Sequence, residues 1–444
     1  MPGDILLVTL TVAALAISGV ALSEGVVLPA HPVLSETASD LLTRLIPDAT
    51  PNATQLRRGR SLVIAGDCVS CHLRAGGAPL AGGLGLNTPF GTIYSSNITG
   101  DTDTGIGAWT PDQFNRAMHD GIGVRGENLY PAFPYPWFRH VSRTDNDSML
   151  AWLKTTPAVR YVPPKTDLPF PLNLRFIVKG WNLLFLDTDR ATADAAKSSD
   201  WNRGAYLVEG LGHCSACHTP KNAFGADKSG HHLQGGTLSD WVAPDLTGNT
   251  RTGLGRWNAD EIREFLQTGR NVRAAAGGTM AEVITYSTSL MAPDDLRAIA
   301  TYLKGQAPSD TVKHDAPDAG AMRRGAAIYS DACASCHFDN GVGQPRYFPP
   351  LGNNAMLQQA DATGLGHLIL AGSRVGTSPS RASPLTMPSF AWKLTDSQIA
   401  DVGTYIRNSW GNEAAPLKTV DVRDLRKRLG LTDLRLTPSS GDRR

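Results

Sequence analysis

All six cysteines of this 444-residue chain fall in three copies of one five-residue pattern, Cys-x-x-Cys-His. The copies are Cys68-Val69-Ser70-Cys71-His72, Cys214-Ser215-Ala216-Cys217-His218 and Cys333-Ala334-Ser335-Cys336-His337. Zinc would need a second knuckle of similar spacing, and no thiol is left to build one. A thioredoxin-like dithiol has no need of His directly after the second Cys, and expects a βαβ setting. Disulfide stapling belongs to small secreted chains, not to one of this length. The pattern does suit covalent attachment of c-type haem. Two thiols add across the vinyl groups and the adjacent His turns inward onto the iron. Cys68, Cys71, Cys214, Cys217, Cys333 and Cys336 are therefore the expected attachment residues for three haem c groups. His72, His218 and His337 are the expected axial ligands.

The motifs cut the chain into three repeats. Each opens on an Arg-Gly helix: Arg58-Gly59, Arg203-Gly204 and Arg324-Gly325. Glycine there suits a helix that must cross another closely. Each repeat closes on an apolar-periodic helix, around Ser148–Leu153, Ala292–Leu303 and Thr395–Ile406, with Thr395 or Asp396 as a capping signal. Repeats one and two also share an Asn/Asp-Ile/Leu-Thr-Gly loop, Asn97 to Gly100 and Asp245 to Gly248. Both follow it with Gly-x-Gly-x-Trp, ending at Trp109 and Trp257. Proline-bearing linkers separate the units at Thr156–Leu172 and Gln306–Ala319. The expected fold is all-α, with three tandem haem domains at 45–160, 195–305 and 318–415 whose loop-rich helical cores wrap the haem. A tail follows at 416–444, read as a surface helix and a frayed end.

A haem iron bound by one His commonly takes Met or His on its other face, and Met raises the potential. Met387, fifty residues past His337 and just before the last helix, is the candidate in repeat three. Met280 is the candidate in repeat two, with Met291 as competitor. Repeat one breaks the pattern. Phe133 lies 61 residues after His72, whereas Met280 lies 62 after His218, and Phe cannot ligate iron. His140, in the same loop, ranks first there, ahead of His119, Met118 and Met149. His119 reads as a solvated helix residue.

Ile5 to Leu22 is an uncharged apolar run of the shortest length that spans a bilayer. It reads equally as a membrane anchor or a signal-peptide core within residues 1–30, and either way the bulk of the chain is exported. A net charge of +1 gives no nucleic-acid footprint. Dinucleotide, zinc-protease and nucleophile-elbow motifs are all missing, so nothing marks a substrate pocket.

The chain after residue 30 resembles the triple-haem cytochrome c subunit of bacterial membrane-bound alcohol, aldehyde and gluconate dehydrogenases. Four stretches carry the resemblance: Leu129 to Tyr135; Gly180-Trp181-Asn182-Leu183-Leu184-Phe185; Gly212-His213-Cys214 with Thr219-Pro220-Lys221-Asn222; and Ser409-Trp410-Gly411-Asn412. That family implies three class I cytochrome c domains. It also implies a non-catalytic electron relay from a separate flavin, quinoprotein or molybdenum subunit to ubiquinone or a terminal oxidase, at the periplasmic face of the cytoplasmic membrane. The family's first domain commonly has Met where this chain has Phe133. The Phe variant resembles cytochrome subunits paired with molybdenum hydroxylases acting on aldehydes or nicotinate. The rival readings are a self-contained peroxidase-like haem enzyme with an open first iron, and a free electron shuttle.

Overall fold

The structure, a computed structural model, describes residues 36–186, 193–238 and 240–431. The Ile5–Leu22 run and the chain's last residues lie outside the described residues. Three times a leading helix runs into a haem motif and is crossed by a closing helix. The pairs are Ala53–Ala65 with Arg143–Leu153, Ser199–Tyr206 with Pro293–Lys304, and Ala319–Ala332 with Asp396–Arg407. The second leading helix widens into a π-turn at Leu207–Leu211 before its motif.

The Arg-Gly dipeptides make these crossings. Gly59 lies on the carbonyl of Ser148, Gly204 on that of Ala298, and Gly325 on that of Asp401. A Cβ at any of the three would collide with that backbone oxygen, so the helices approach to a distance only glycine permits. The preceding arginine then clamps an aspartate of the closing helix. Arg58 meets Asp145 at 2.6 Å, Arg203 meets Asp295 at 2.8 Å and Arg324 meets Asp401 at 2.7 Å.

Caps fix the remaining helices. Thr110 with Gln113 and Asn258 with Glu261 form capping boxes for the helices Pro111–Asp120 and Ala259–Thr268. Thr395 with Gln398 does the same for the last closing helix, as its sequence suggested. The all-α expectation needs one amendment. Each unit also contains a two-stranded antiparallel ladder, pairing Gly85–Thr88 with Gly91–Tyr94, Gln234–Leu238 with Trp241–Asp245, and Ser373–Arg374 with Thr386–Met387. Strands of two to five residues are too short to show the apolar alternation that would have marked them.

The first two units share one apolar core, in which Leu62, Val69 and Met149 pack with Leu207, Leu211 and Ile299. Tyr206 donates to Asp145 at 2.5 Å and Trp137 to Ser215 at 2.5 Å across the same junction. The third unit has its own core around Tyr329, Leu370, Ile399 and Val402. Burying such aliphatic side chains stabilises by about 1.5–3 kcal/mol each. Fully buried Arg407 adds donors to the carbonyls of Leu357, Gln359 and Ala415. The tail helix, Thr419–Arg428, packs rather than floats. Val422 and Leu425 are buried, and Arg426 bonds Asp396 at 2.7 Å. No described helix is long and apolar enough to cross a membrane.

Candidate haem sites

Each motif forms a short helical turn directly after its leading helix: Cys68–His72, Ser215–His218 and Ala334–His337. The three motif histidines are then held alike. Nδ1 of His72 donates to the carbonyl of Ser96 at 2.6 Å, that of His218 to Pro244 at 2.6 Å, and that of His337 to Pro349 at 3.1 Å. A carbonyl can only accept, so Nδ1 carries the proton and Nε2 keeps its lone pair. This tautomer and fixed ring orientation are what an axial iron ligand requires. Burial lowers the pKa of all three imidazoles, which keeps them neutral.

The shared Thr-Gly loops explain themselves here. Ser96 and Pro244, the acceptors, stand immediately before Asn97 and Asp245. Those two side chains lock their own loops, Asn97 accepting from the Thr99 amide at 3.0 Å and Asp245 from the Thr247 amide at 2.6 Å. The following linkers are drawn back to the same loops, with Asn97 donating to the Val159 carbonyl at 2.7 Å and Asn249 to that of Ser309 at 3.0 Å. In the third unit the acceptor comes sooner, from Pro349, and no such loop exists.

The six cysteines are unpaired. Burial pushes the thiols of Cys68, Cys71 and Cys214 up to about 12 and that of Cys333 to about 11. The nucleophilic thiol of a dithiol redox centre needs the opposite shift. No cluster of three or more metal-binding side chains occurs among the described residues. Motifs two and three instead open into one continuous cavity. Cys214, Cys217 and His218 line it together with Cys333, Cys336 and His337, and Asp67 of the first unit reaches it. Its walls include Leu246, Ile262, Val283, Leu351 and Phe390, an apolar lining that fits a haem macrocycle.

Met280 and Met387 line this cavity, each half-buried, at the start of helix Thr279–Tyr286 and on the strand Thr386–Met387. Met291 lines it too, so lining alone does not separate it from Met280. The first unit differs. Met118 and Met149 are 5% and 1% exposed and belong to the core. His119, read as solvated, is largely buried instead: Nδ1 bonds Asp120 at 2.8 Å, and Nε2 is closed off without a partner because its helix packs inward. His140 is half-buried and lies beside Gly210 of the second unit. Phe133 packs edge-on to Phe138, and Phe138 packs against His213, the residue before Cys214. The loop that would carry a methionine is thereby joined to the second motif. The clamping aspartates, the acceptor carbonyls and His213 were missed in the sequence. An Asp inside each closing helix was the one available signal.

The cytochrome c family matches residues 322–410, the third unit. A helical protein with that domain, and with buried Cys-x-x-Cys-His turns whose histidines present Nε2, is a c-type cytochrome that holds haem covalently. Longer relatives narrow this further. The chain is 38% identical to the gluconate 2-dehydrogenase cytochrome c subunit of Pantoea cypripedii, over 89% of this chain and 95% of that protein. It is 37% identical to the cytochrome c subunit of the quinone alcohol dehydrogenase of Gluconobacter oxydans (strain 621H), over 84% and 81%. It is 39% identical to a nicotinate dehydrogenase subunit of Pseudomonas putida over 80% of this chain, a stretch that makes up 30% of that larger protein. The chain belongs to the family of dehydrogenase cytochrome c subunits.

Proposed function

We propose that the chain binds three haems, one at each motif, and relays electrons from a dehydrogenase catalytic subunit to ubiquinone or a terminal oxidase. The carrying observation is the repeated histidine–carbonyl bond at His72, His218 and His337. Haem iron, when bound, supplies reversible one-electron exchange. The chain's own residues hold and tune it. Each Cys pair tethers, each His presents Nε2, and Met280 and Met387 offer thioethers to the second and third irons. His140 is the proposed donor to the first. The shared cavity of motifs two and three supports direct passage between their sites, and the Phe133–Phe138–His213 contacts fix the first unit against the second.

In this reading residues 45–160, 195–305 and 318–415 are three class I cytochrome c domains. The complex works at the periplasmic face of the bacterial cytoplasmic membrane. The partner is of flavin, quinoprotein or molybdenum type, and Phe133 together with the nicotinate dehydrogenase relative favours the molybdenum type. The test is to purify the complex anaerobically and add the catalytic subunit's substrate. Haem absorbance is expected to convert fully to the ferrous form and to reoxidise with a ubiquinone analogue or a terminal oxidase. Haems that stay ferric while the catalytic subunit turns over would refute the relay.

A further inference from the structure

The segment Gly180-Trp181-Asn182-Leu183-Leu184-Phe185 takes no part in the haem sites. It forms most of the helix Ile177–Phe185, which lies across the first two units. Two anchors fix how that helix is rolled. Asn182 accepts from the Tyr135 hydroxyl at 2.5 Å, and Trp181 donates to the Phe224 carbonyl at 3.0 Å. Phe185 packs between the rings of Trp181 and Phe224, at 5.6 and 5.7 Å. Val178 is the helix's buried residue.

With that roll, the most apolar side chains point away from the protein. Leu183 is 86% exposed, Leu184 74%, Phe176 67%, Phe170 79% and Phe224 66%. Single exposed apolar residues are ordinary; four on one anchored strap, with Phe224 of the second unit against its end, mark a contact surface. Its rim is mainly cationic. Residues 161–186 carry Lys165, Arg175 and Lys179 against one acid, Asp167. Lys179 stands one turn before Leu183 on the same helix face, where its stem can lie along apolar surface while the ammonium stays wet.

We propose that this strap is a membrane contact, seating Leu183 and Leu184 at the headgroup–acyl boundary of an anionic phospholipid bilayer. A helix that turns Leu183 and Leu184 outward, with Phe176 just before it and Lys179 at the rim, suits that boundary. The exposures describe a projecting wedge, and cations at its edge complement anionic headgroups. The run Ile5–Leu22, in its reading as a membrane anchor, would hold the chain at a bilayer. The proposal rests on the reading that the chain works at a membrane, and the experiment separates the two.

Hydrogen exchange is measured by mass spectrometry on the full-length holoprotein, with and without vesicles of phosphatidylglycerol and phosphatidylethanolamine. Exchange across residues 170–186 is expected to slow severalfold on vesicles. The Leu183→Gln/Leu184→Gln variant is expected to lose that slowing while keeping its haem spectrum. Vesicle binding with unchanged exchange in the strap, or protection that survives in the variant, overturns the proposal. Absence of any vesicle binding overturns the membrane reading beneath it. Protection that arises only with the dehydrogenase subunit assigns the strap to a protein interface and overturns the proposal as well.

Discussion

Nδ1 of His218 donates to the carbonyl of Pro244 at 2.6 Å, one residue before the loop-locking carboxylate of Asp245. The bond does two things. It selects the tautomer that leaves Nε2 free, and it fixes the ring through a loop that is itself tied to the following linker. His72 and Ser96 repeat the arrangement with Asn97 in place of Asp245. A coordinating histidine without such a partner would be free to rotate, and outer partners of this kind typically matter about 10–100-fold for metal affinity.

The helix crossing at Gly204 should tolerate no side chain. Gly204→Ala drives a Cβ into the Ala298 carbonyl, and overpacking of this kind is expected to cost about 3 kcal/mol. Gly180→Ala, in a helix with open space around it, is expected to stabilise by about 0.5–1 kcal/mol. Thermal unfolding of the two holoproteins checks the contrast. Equal midpoints would mean that the crossing is looser than described.

Replacing Met280 or Met387 by Leu is expected to lower the midpoint potential of one haem each, because thioether ligation raises it. Met149→Leu, a nearly volume-conserving change at a core position, should leave all potentials in place. Spectroelectrochemical titration of the variants decides. An unchanged set of potentials in Met280→Leu would transfer the ligand role to Met291.

His140→Ala is expected to convert one low-spin ferric signal to high spin in electron paramagnetic resonance, leaving the other two untouched. Three low-spin signals in the variant would remove His140 as ligand. Three low-spin, six-coordinate haems in the wild type would also dispose of a peroxidase-like open iron.

His232 bonds Glu209 at 2.9 Å, and this hydrogen bond raises its pKa above 6.5. Protonated His is therefore favoured in the folded state. The stabilisation is complete at pH below the unfolded value near 6.5 and is lost as pH rises through the raised folded value. The melting difference between wild type and His232→Gln should accordingly shrink from mildly acidic to alkaline pH. A difference that grows with pH would contradict the assignment.

The haem motifs, the three crossings and the closing helices were legible because each rests on a local code: spacing, a glycine needed for contact, a capped apolar period. What stayed hidden depends on distant partners. Asp145, Asp295 and Asp401 are ordinary helix residues until the fold brings them to Arg58, Arg203 and Arg324. The carbonyls of Ser96, Pro244 and Pro349 have no signature, since any residue offers one. His119 reads as solvated from sequence because its helix position is visible there and the packing above it is not. The tail helix looked superficial because burial of Arg426 against Asp396 is invisible in composition.

The central claim is that each of the three motifs carries one covalent haem. Intact-mass measurement of the exported, denatured protein tests it directly, alongside variants with each Cys pair changed to Ala. The wild type is expected to exceed its polypeptide mass by three haems and each variant by two. A wild-type mass with one or two haems, or a variant that loses none, would contradict the claim.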